Sequence, residues 1–266
     1  MLIEARNISL DVPDMNHHVL LGKRRHLRIL NDVSFSIDRG ETIGIVGESG
    51  SGKTSLGRTL LRLYEPSEGT LTFDGTDITH MSQAALKPLR RRMQMIFQDP
   101  QSSLNPRLRI GTIISRGLTL HALDASEKTL SALVERVGLP TSTLNRYPHQ
   151  LSGGQRQRIG IARAIALKPD FVVADEIVSG LDVSTQAQVL DLLKGLRTEF
   201  GLSLAFISHD LSVIRHICDR IVIMRNGEVV EAGSTAETFR TPKTEFTKAL
   251  ISAIPLPEPD AEWLKA

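Results

Sequence analysis

The chain has 266 residues, of which 41% are hydrophobic and 23% are charged, as expected for one large globular domain or a domain with an inserted lobe. The net charge of +2 does not call for a nucleic-acid partner, and no apolar stretch approaches the roughly 18 residues that span a bilayer. Cys218 is the one cysteine, so no internal disulfide can form. The first residues, Met1 to Arg6, do not resemble a secretory signal.

Hydrophobic alternation predicts a β-rich first third, with strands at residues 3–12, 30–38, 41–46 and 69–73. A helix begins near Lys53. A short helix is predicted over residues 82–92, broken by Pro88, and a strand from Met93 to Phe97 follows it.

Between Asp99 and Leu167 the pattern becomes helical, with helices predicted at residues 111–121, 126–137 and 153–167. Strands and helices then alternate, which implies parallel pairing through crossover connections. The predicted segments are strands at 171–174, 202–207, 219–225 and 228–232, helices at 183–200 and 210–217, and two short helices within 234–253. The predicted fold class is therefore α/β, with a helical lobe inserted between Phe97 and Phe171.

A glycine-rich loop lies between the predicted strand that ends at Val46 and the helix that begins at Lys53. It fits the pattern G-x-x-x-x-G-K-[ST], in which successive backbone N–H groups cradle nucleotide phosphates and the lysine adds a positive charge. A flexible Gly/Ser linker is the alternative, but the strand before the loop and the helix after it oppose that interpretation. The predicted ATP contacts are Gly47, Glu48, Ser49, Gly50, Ser51, Gly52, Lys53, Thr54 and Ser55.

Two acids, Asp175 and Glu176, follow the apolar strand that begins at Phe171. A buried parallel strand delivers such carboxylates to the edge of the sheet where the phosphate loop also lies. An acid pair at a strand end is usually solvated turn chemistry, but the phosphate loop upstream favours a function.

A second glycine-rich motif opens the helix predicted at residues 153–167. Ser152 is a good helix N-cap, and the glycines after it let an anion approach the end of the helix. Helix capping alone is the alternative interpretation. The motif consists of Leu151, Ser152, Gly153, Gly154 and Gln155.

The two motifs, followed by Asp175-Glu176 and His209, together resemble the ATP-binding-cassette (ABC) ATPases over roughly residues 1–257. The resemblance implies a P-loop NTPase (RecA-like) core with an N-terminal antiparallel β region and an inserted helical lobe. The implied domains are a nucleotide-binding core at residues 1–97 and 168–235, a signature lobe at 98–167 and a C-terminal importer-type extension at 236–266.

The resemblance also implies roles for single residues. Thr54 offers a hydroxyl to Mg²⁺, Asp175 acts on the metal through water, and Gln98 contacts the metal or the attacking water. Glu176 polarises that water, and His209 contacts the γ-phosphate as the switch histidine.

In the family, the signature motif binds the γ-phosphate of an ATP that the opposite subunit holds. Ser179 and Asp182 belong to a segment that resembles the D-loop, which crosses the dimer interface. The chain has one phosphate loop and one signature, so the resemblance implies that it completes its ATP sites only as a dimer.

The chain departs from the family pattern at three places. The family stacks adenine on an aromatic residue near the first strands, but Phe35 is the first aromatic residue here. Val12 or one of three histidines, His17, His18 and His26, is expected to substitute. Ile177 and Gly180 replace the usual proline after the catalytic glutamate and the usual D-loop alanine, and neither change is expected to abolish hydrolysis.

Two segments, Phe97 to Pro106 and Thr247 to Pro255, resemble the oligopeptide/dipeptide/nickel importer branch. That branch implies a second ATPase chain, expected to be a different one, two membrane permeases and, indirectly, an extracytoplasmic binding protein. It places the chain at the cytoplasmic face of the inner membrane. Some members carry cysteines for an iron–sulfur cluster, but the chain has none after Cys218, which is expected to be buried, so no cluster is predicted. The basic segment Lys23 to Arg28 is expected to be a solvated loop, or a lipid-headgroup contact.

The resemblance implies uptake of a peptide, nickel chelate, glutathione or opine, driven by hydrolysis of Mg-ATP. The rival interpretation is a soluble ABC ATPase of translation or DNA repair. Such proteins carry two cassettes or a long coiled-coil insertion, and neither is evident in this sequence. An unrelated P-loop kinase or GTPase is disfavoured by the motif at residues 151–155.

Overall fold

The computed structural model describes residues 1–14 and 26–254. The strands are β1 (Ile3–Pro13), β2 (His26–Ile37), β3 (Thr42–Gly47), β4 (Glu68–Phe73), β5 (Thr76–Asp77), β6 (Met93–Ile96), β7 (Phe171–Asp175), β8 (Ser203–Ile207), β9 (Arg220–Arg225) and β10 (Glu228–Ser234). The α-helices are α1 (Lys53–Leu60), α2 (Gln83–Arg90), α3 (Pro100–Ser103), α4 (Ile110–Leu120), α5 (Glu127–Arg136), α6 (Gly153–Ile165), α7 (Val183–Phe200), α8 (Leu211–Ile217), α9 (Thr235–Arg240) and α10 (Glu245–Ser252).

The strands form two sheets. Four of them make an antiparallel sheet in the order β2-β1-β4-β5, and six make the sheet β10-β9-β3-β8-β7-β6. In the second sheet all neighbouring pairs are parallel except β10 with β9. The predicted α/β fold, with an antiparallel N-terminal region and helices inserted between β6 and β7, is confirmed.

The central strands β3, β7 and β8 are buried along their whole length, because both faces of their sheet are covered. Successive side chains of a strand point to opposite faces. Phe171 and Val173 therefore join the core beneath α1 and the antiparallel sheet, whereas Val172 and Ala174 join the core beneath the helices on the other face. Continuous apolar runs thus build two cores from single strands.

The parallel strands bring distant parts of the chain to one edge of the sheet. The phosphate loop follows β3, Glu176 follows β7 and Gln98 lies two residues beyond β6. His209 lies two residues beyond β8, in the strand order β3-β8-β7-β6. The carboxyl ends of these strands therefore position the candidate site.

The structure corrects two expectations. Helix α2 runs through Pro88, the sixth of its eight residues, instead of breaking there. The proline removes one hydrogen bond of the helix, and the fully buried Leu86 in the same helix offsets that loss by packing into the core. Strand β2 begins at His26, four residues earlier than predicted. Arg28 is thus in a strand rather than a solvated loop, and it forms ion pairs with Asp11 and Glu68. His26 and Leu27 of the same basic segment also lie in β2, and residues 23–25 lie outside the described residues.

The helices α9 and α10 occur where two short helices were predicted. The buried carboxylate of Glu231 on β10 accepts hydrogen bonds from the backbone N–H groups of Lys243 and Thr244, just before α10 begins. Among the described helices, none is long and apolar enough to cross a membrane. The division into core, signature lobe and extension stays a prediction.

Leu56 provides a test of the packing beneath the phosphate loop. Its side chain is completely buried on α1, in the core between the two sheets. We expect Leu56→Ala to lower the free energy of unfolding by about 2–5 kcal/mol, because it leaves a cavity. Denaturant unfolding followed by circular dichroism measures this change. Leu63→Ala is the control, since Leu63 is 47% exposed, and its effect should stay within about 0.5 kcal/mol. Equal effects of the two substitutions would show that Leu56 is not packed in a core beneath the phosphate loop.

Candidate nucleotide site

The phosphate loop has a backbone that only glycine tolerates at its two ends. Gly47 and Gly52 have φ angles of 153° and 98°, which are unfavourable for residues with a Cβ. A Cβ on Gly47 would also lie 2.2 Å from the carbonyl oxygen of Met224. The loop therefore turns tightly against β9 and leads directly into α1, whose N-terminal N–H groups and dipole favour an anion.

Lys53 is buried, with 6% of its surface exposed. Its Nζ donates hydrogen bonds to the carbonyl oxygens of Gly47 at 2.8 Å and Glu48 at 2.7 Å. Burial lowers the pKa of Lys53, while the charges of Glu176 and Asp175 act in the opposite direction. Since these hydrogen-bond partners are neutral, the ammonium can still bind an anionic ligand.

Asp175 ends β7 and is 2% exposed. The hydroxyl Oγ1 of Thr54 lies 3.1 Å from Asp175 Oδ1 and donates to it. Burial raises the pKa of Asp175 above its ordinary value, and the hydrogen bond from Thr54 opposes this shift. Two of the three predicted magnesium ligands are thus in contact through oxygen atoms, the atoms that Mg²⁺ prefers.

Glu176 is the point where the structure brings three predicted catalytic residues together. Gln98 Nε2 donates to Glu176 Oε2 at 2.9 Å, and His209 Nδ1 lies 3.5 Å from Glu176 Oε1. The backbone of Glu176 has a φ of 46°, and its N–H donates to the carbonyl oxygen of Ile207 at 2.9 Å. A positive φ is uncommon for a residue with a side chain and is often found at functional sites.

A cavity of about 390 Å³ lies between the phosphate loop and the pair Gln98 and Glu176. It is lined by Ile29, Ser49, Gly50, Gly52, Lys53, Thr54, Ser55, Gln98 and Glu176. The site thus combines a phosphate cradle, a buried cation and a carboxylate held between an amide and an imidazole. Such an arrangement can hold a polyphosphate and activate water for attack on its end.

The signature motif lies outside this lining. Ser152 caps α6, because the N–H of Gln155 donates to its Oγ at 3.2 Å, and Gln155 Oε1 accepts from the N–H of Ser152 at 3.0 Å. The predicted cap is therefore confirmed. A Cβ on Gly154 would lie 2.6 Å from Thr185 Cγ2, so this end of α6 packs against the start of α7. The other two residues of the motif are Leu151, which is buried, and Gly153, which is the first residue of α6.

The segment predicted as the D-loop lies between Glu176 and α7. Ser179 donates its N–H to the carbonyl oxygen of Glu176, and it shares a cavity of about 140 Å³ with His209. Asp182 caps α7 by accepting from the N–H of Thr185 at 2.9 Å. The segment is therefore in direct contact with the catalytic candidates in this chain.

Sequence reasoning did not find Ile29, which lines the cavity from β2. It proposed Val12, His17, His18 or His26 for contact with the base. Val12 pairs with Leu27, and His26 pairs with Pro13, in the β1–β2 ladder. His17 and His18 lie outside the described residues. The signal that was available is the alternation of Leu27 and Ile29, which extends the predicted strand toward His26.

Comparison with known proteins identifies the class. The model of the family described as ABC transporter matches residues 30–179. A solved dimeric structure of the ATP-binding cassette MJ0796, in a post-hydrolysis state with ADP and Pi, has a TM-score of 0.77 and 28% identity, and covers 88% of this chain and 99% of that one. The chain belongs to the ABC transporter family, as an ATP-binding and ATP-hydrolysing subunit.

Relatives with higher identity are named for peptide transport. The oligopeptide transport ATP-binding protein OppF of Bacillus subtilis is 47% identical over 258 residues, which are 95% of this chain and 84% of that protein. A Brucella ovis protein, named provisionally as a peptide import ATP-binding protein, is 52% identical over 238 residues, which are 88% of this chain and 75% of that protein. The predicted resemblance to the importer branch is confirmed.

The raised pKa of Asp175 predicts an unusual pH dependence. A folded-state pKa above the unfolded value means that the protonated acid favours folding, and that this contribution is lost as the pH rises through the folded pKa. Without nucleotide or Mg²⁺, we therefore expect Asp175→Asn to raise the free energy of unfolding at pH 7, by more than it does near pH 4. Urea unfolding at both pH values measures the difference.

Asp182→Ala is the control for this prediction, because the pKa of Asp182 is shifted in the direction opposite to that of Asp175. Hydrogen bonds from Thr185 lower the pKa of Asp182, so its carboxylate stabilises the fold above the unfolded pKa, and this contribution is lost as the pH falls. The substitution should destabilise the protein at pH 7. Destabilisation by Asp175→Asn at pH 7 would show that the burial of Asp175 is not a cost to the fold.

Proposed function

We propose that the chain is the ATPase subunit of a bacterial ABC importer that energises the uptake of peptides or a related small solute. The observation that carries the proposal is the position of Glu176, held between Gln98 and His209 beside the phosphate loop. The names of the relatives supply the transport context. Nickel chelates, glutathione and opines remain within the solute class.

The phosphate loop binds the β- and γ-phosphates through its backbone N–H groups and Lys53. Thr54 and Gln98 would hold Mg²⁺ directly, and Asp175 would hold it through water. The bound metal would neutralise charge that develops on the phosphate oxygens. Among the described residues, no group of three or more His, Cys, Asp or Glu side chains could hold a metal, and this donor set fits a cation that keeps several waters and takes phosphate oxygens as ligands.

Glu176 accepts a proton from the water that attacks the γ-phosphorus. The new P–O bond forms opposite the bond between the γ-phosphorus and the bridging oxygen. That bond breaks, and the bridging oxygen leaves as part of ADP. Gln98 fixes one carboxylate oxygen of Glu176, and His209 approaches the other. The exposed ring of His209 would contact the γ-phosphate from the β8 side.

Dimerisation completes the site. The signature residues lie outside the cavity lining in this chain, so we assign them to the γ-phosphate of an ATP held by a second ATPase. Ser179 and Asp182 would pass close to that subunit. The dimeric, ADP- and Pi-bound state of MJ0796 supports this arrangement. The second subunit is inferred to be a different chain, as in the importer branch.

Two permeases would receive the motion at the cytoplasmic face of the inner membrane, where the chain binds peripherally. The contact surface would include residues 99–121 and Gln98. Phe97 lies 36% exposed at this surface, with the Arg163 guanidinium 5.8 Å from its ring centre. A binding protein would act indirectly, through the permeases. The named relatives favour transport over the rival role in translation or DNA repair.

Glu176→Gln tests the chemistry. We expect kcat for Mg-ATP to fall at least about a hundredfold, because the amide cannot accept the proton from water. The variant should accumulate as an ATP-bound dimer, detected by size-exclusion chromatography with light scattering. Glu199→Gln is the matched control, since Glu199 is a surface carboxylate paired with Arg136. A Glu176→Gln protein with normal turnover would refute the assigned role.

Lys53→Ala separates binding from hydrolysis. Loss of the buried ammonium should weaken ATP binding, measured by calorimetry, and should prevent formation of the dimer trapped by Glu176→Gln. Unchanged ATP affinity would show that the phosphates bind elsewhere.

The importer assignment is tested by capturing partners. Tagged Glu176→Gln with Mg-ATP is incubated with detergent-solubilised native membranes, and bound proteins are identified by mass spectrometry. We expect two permeases and a second ATPase. The Lys53→Ala protein is the control, and it should recover less of the second ATPase. Recovery of ribosomes or nucleic-acid factors instead would overturn the transport role and leave the ATPase chemistry intact.

A further inference from the structure

Helix α6 carries the signature motif at its start and Arg163 near its end. Arg163 is partly buried, and its Nη1 donates a hydrogen bond to the carbonyl oxygen of Ser103 at 2.6 Å. Its guanidinium carbon lies 5.8 Å from the ring centre of Phe97, which is within the range of a cation–π contact. Arg163 therefore contacts two separate points of the segment that follows β6.

These two points lie on either side of Gln98. Phe97 directly precedes Gln98, and Ser103 is the last residue of the short helix α3 that follows it. Gln98 is exposed, and its Nε2 donates to Glu176 Oε2 at 2.9 Å. Helix α3 has four residues, too few to be stable alone. The path of the segment that carries Gln98 therefore depends on what the segment contacts.

Helix α6 is a firm anchor for these contacts, because its apolar side chains lie in the buried core. They belong to Ile159, Ile161, Ala162, Ala164 and Ile165. Gly160 lies against the end of β6, since a Cβ on it would lie 4.0 Å from Ile96 Cγ2. Residues three positions apart are neighbours on a helix surface, so Arg163 lies on the same side of α6 and reaches the segment beyond β6.

The guanidinium of Arg163 carries a cost for the fold. Burial lowers its pKa, because the charged form is poorly solvated there. Its described partners are a neutral carbonyl oxygen and an aromatic ring, and these offset only part of the desolvation. An apolar side chain of similar length would avoid that cost. Proteins commonly retain such unfavourable features where activity needs them, which indicates a role for Arg163 beyond stability.

We propose that Arg163 is a positioning residue for hydrolysis, which holds Gln98 where its amide fixes the carboxylate of Glu176. Because Arg163 fastens the segment to α6 on both sides of Gln98, it restricts the positions open to that amide. A misplaced amide would leave Glu176 less ordered, and a small misplacement near a reacting group costs much of the rate. This inference rests on the proposed function, in which Gln98 and Glu176 act in hydrolysis.

The test measures kcat and KM for Mg-ATP with the purified chain and includes a double-mutant cycle. Arg163→Met keeps a long side chain that favours helix but removes the charge and the hydrogen bond. We expect it to lower kcat by about tenfold and to leave KM within about twofold, because the phosphate loop is untouched. Gln98→Ala should lower kcat by a similar factor. The double variant should be no slower than Gln98→Ala alone, because both substitutions act through one amide.

Further measurements separate positioning from a structural role. Arg163→Lys should recover part of the lost kcat, because the ammonium keeps the charge but cannot make both contacts as the guanidinium does. Arg163→Met should unfold in urea close to the wild-type midpoint, since the removed desolvation cost offsets the lost contacts. Arg158→Met is the matched control on α6, because Arg158 Nη1 donates to the carbonyl oxygen of Val137 at 3.1 Å, away from Gln98. It should leave kcat unchanged.

Several results would overturn the inference and leave the proposed function standing. A double variant about tenfold slower than either single variant would show that Arg163 acts independently of Gln98. Unchanged kcat in Arg163→Met or Gln98→Ala would remove the positioning role, and an equal loss in Arg158→Met would indicate general damage to α6. A much lower urea midpoint of Arg163→Met, or no recovery in Arg163→Lys, would make the role structural. Normal turnover by Glu176→Gln, in contrast, would overturn the assigned chemistry and this inference with it.

Discussion

The buried ammonium of Lys53 is the interaction on which the rest of the site depends. It ties the phosphate loop to its own carbonyl oxygens at Gly47 and Glu48, and this cross-link holds the loop in shape at the end of β3. Because those partners are neutral and the group is desolvated, its positive charge is available to a phosphate. The loop is thus prepared for an anion before the anion arrives, which reduces the ordering cost of binding.

Two acidic residues beside the loop, Asp175 and Glu176, lower the stability of the fold. Burial raises the pKa of Asp175, and Glu176 adopts a backbone conformation with positive φ. Neither feature favours folding, and both lie at the point where chemistry is proposed. Proteins commonly retain such unfavourable features where activity needs them. The two buried cores, which the alternating side chains of the central strands build on opposite faces of the sheet, offset this cost.

Much of the fold and of the candidate site could be predicted from local pattern. Three features depend only on residues close in sequence, so local pattern was enough to predict them. They are the phosphate loop, the strand before Asp175 and the helix cap at Ser152. The contact between Gln98 and Glu176 joins residues 78 positions apart, so local pattern could not reveal its geometry. The family resemblance supplied the roles of these two residues, and the sheet topology supplied their contact.

The errors have equally physical causes. Pro88 was expected to break a helix, but the burial of Leu86 in the same helix offsets the hydrogen bond that the proline removes. The early start of β2 at His26 depends on pairing with Pro13 and Val12, across a segment outside the described residues. Ile29 was missed for the same reason, because the strand that carries it was predicted to begin one residue later.

The assembly of the site from separate strand ends has a consequence for folding. Between β6 and β7 the chain forms four α-helices before it returns to the sheet, and β7 lies between two strands distant in sequence. Parallel pairs of this kind close long loops before they gain contacts, and they form slowly. We therefore expect the nucleotide site to be among the last parts of the molecule to become native. A chain in which β7 has not yet paired would expose one edge of the apolar strand β8, so we expect aggregation, rather than a half-active enzyme, as the outcome of incomplete folding.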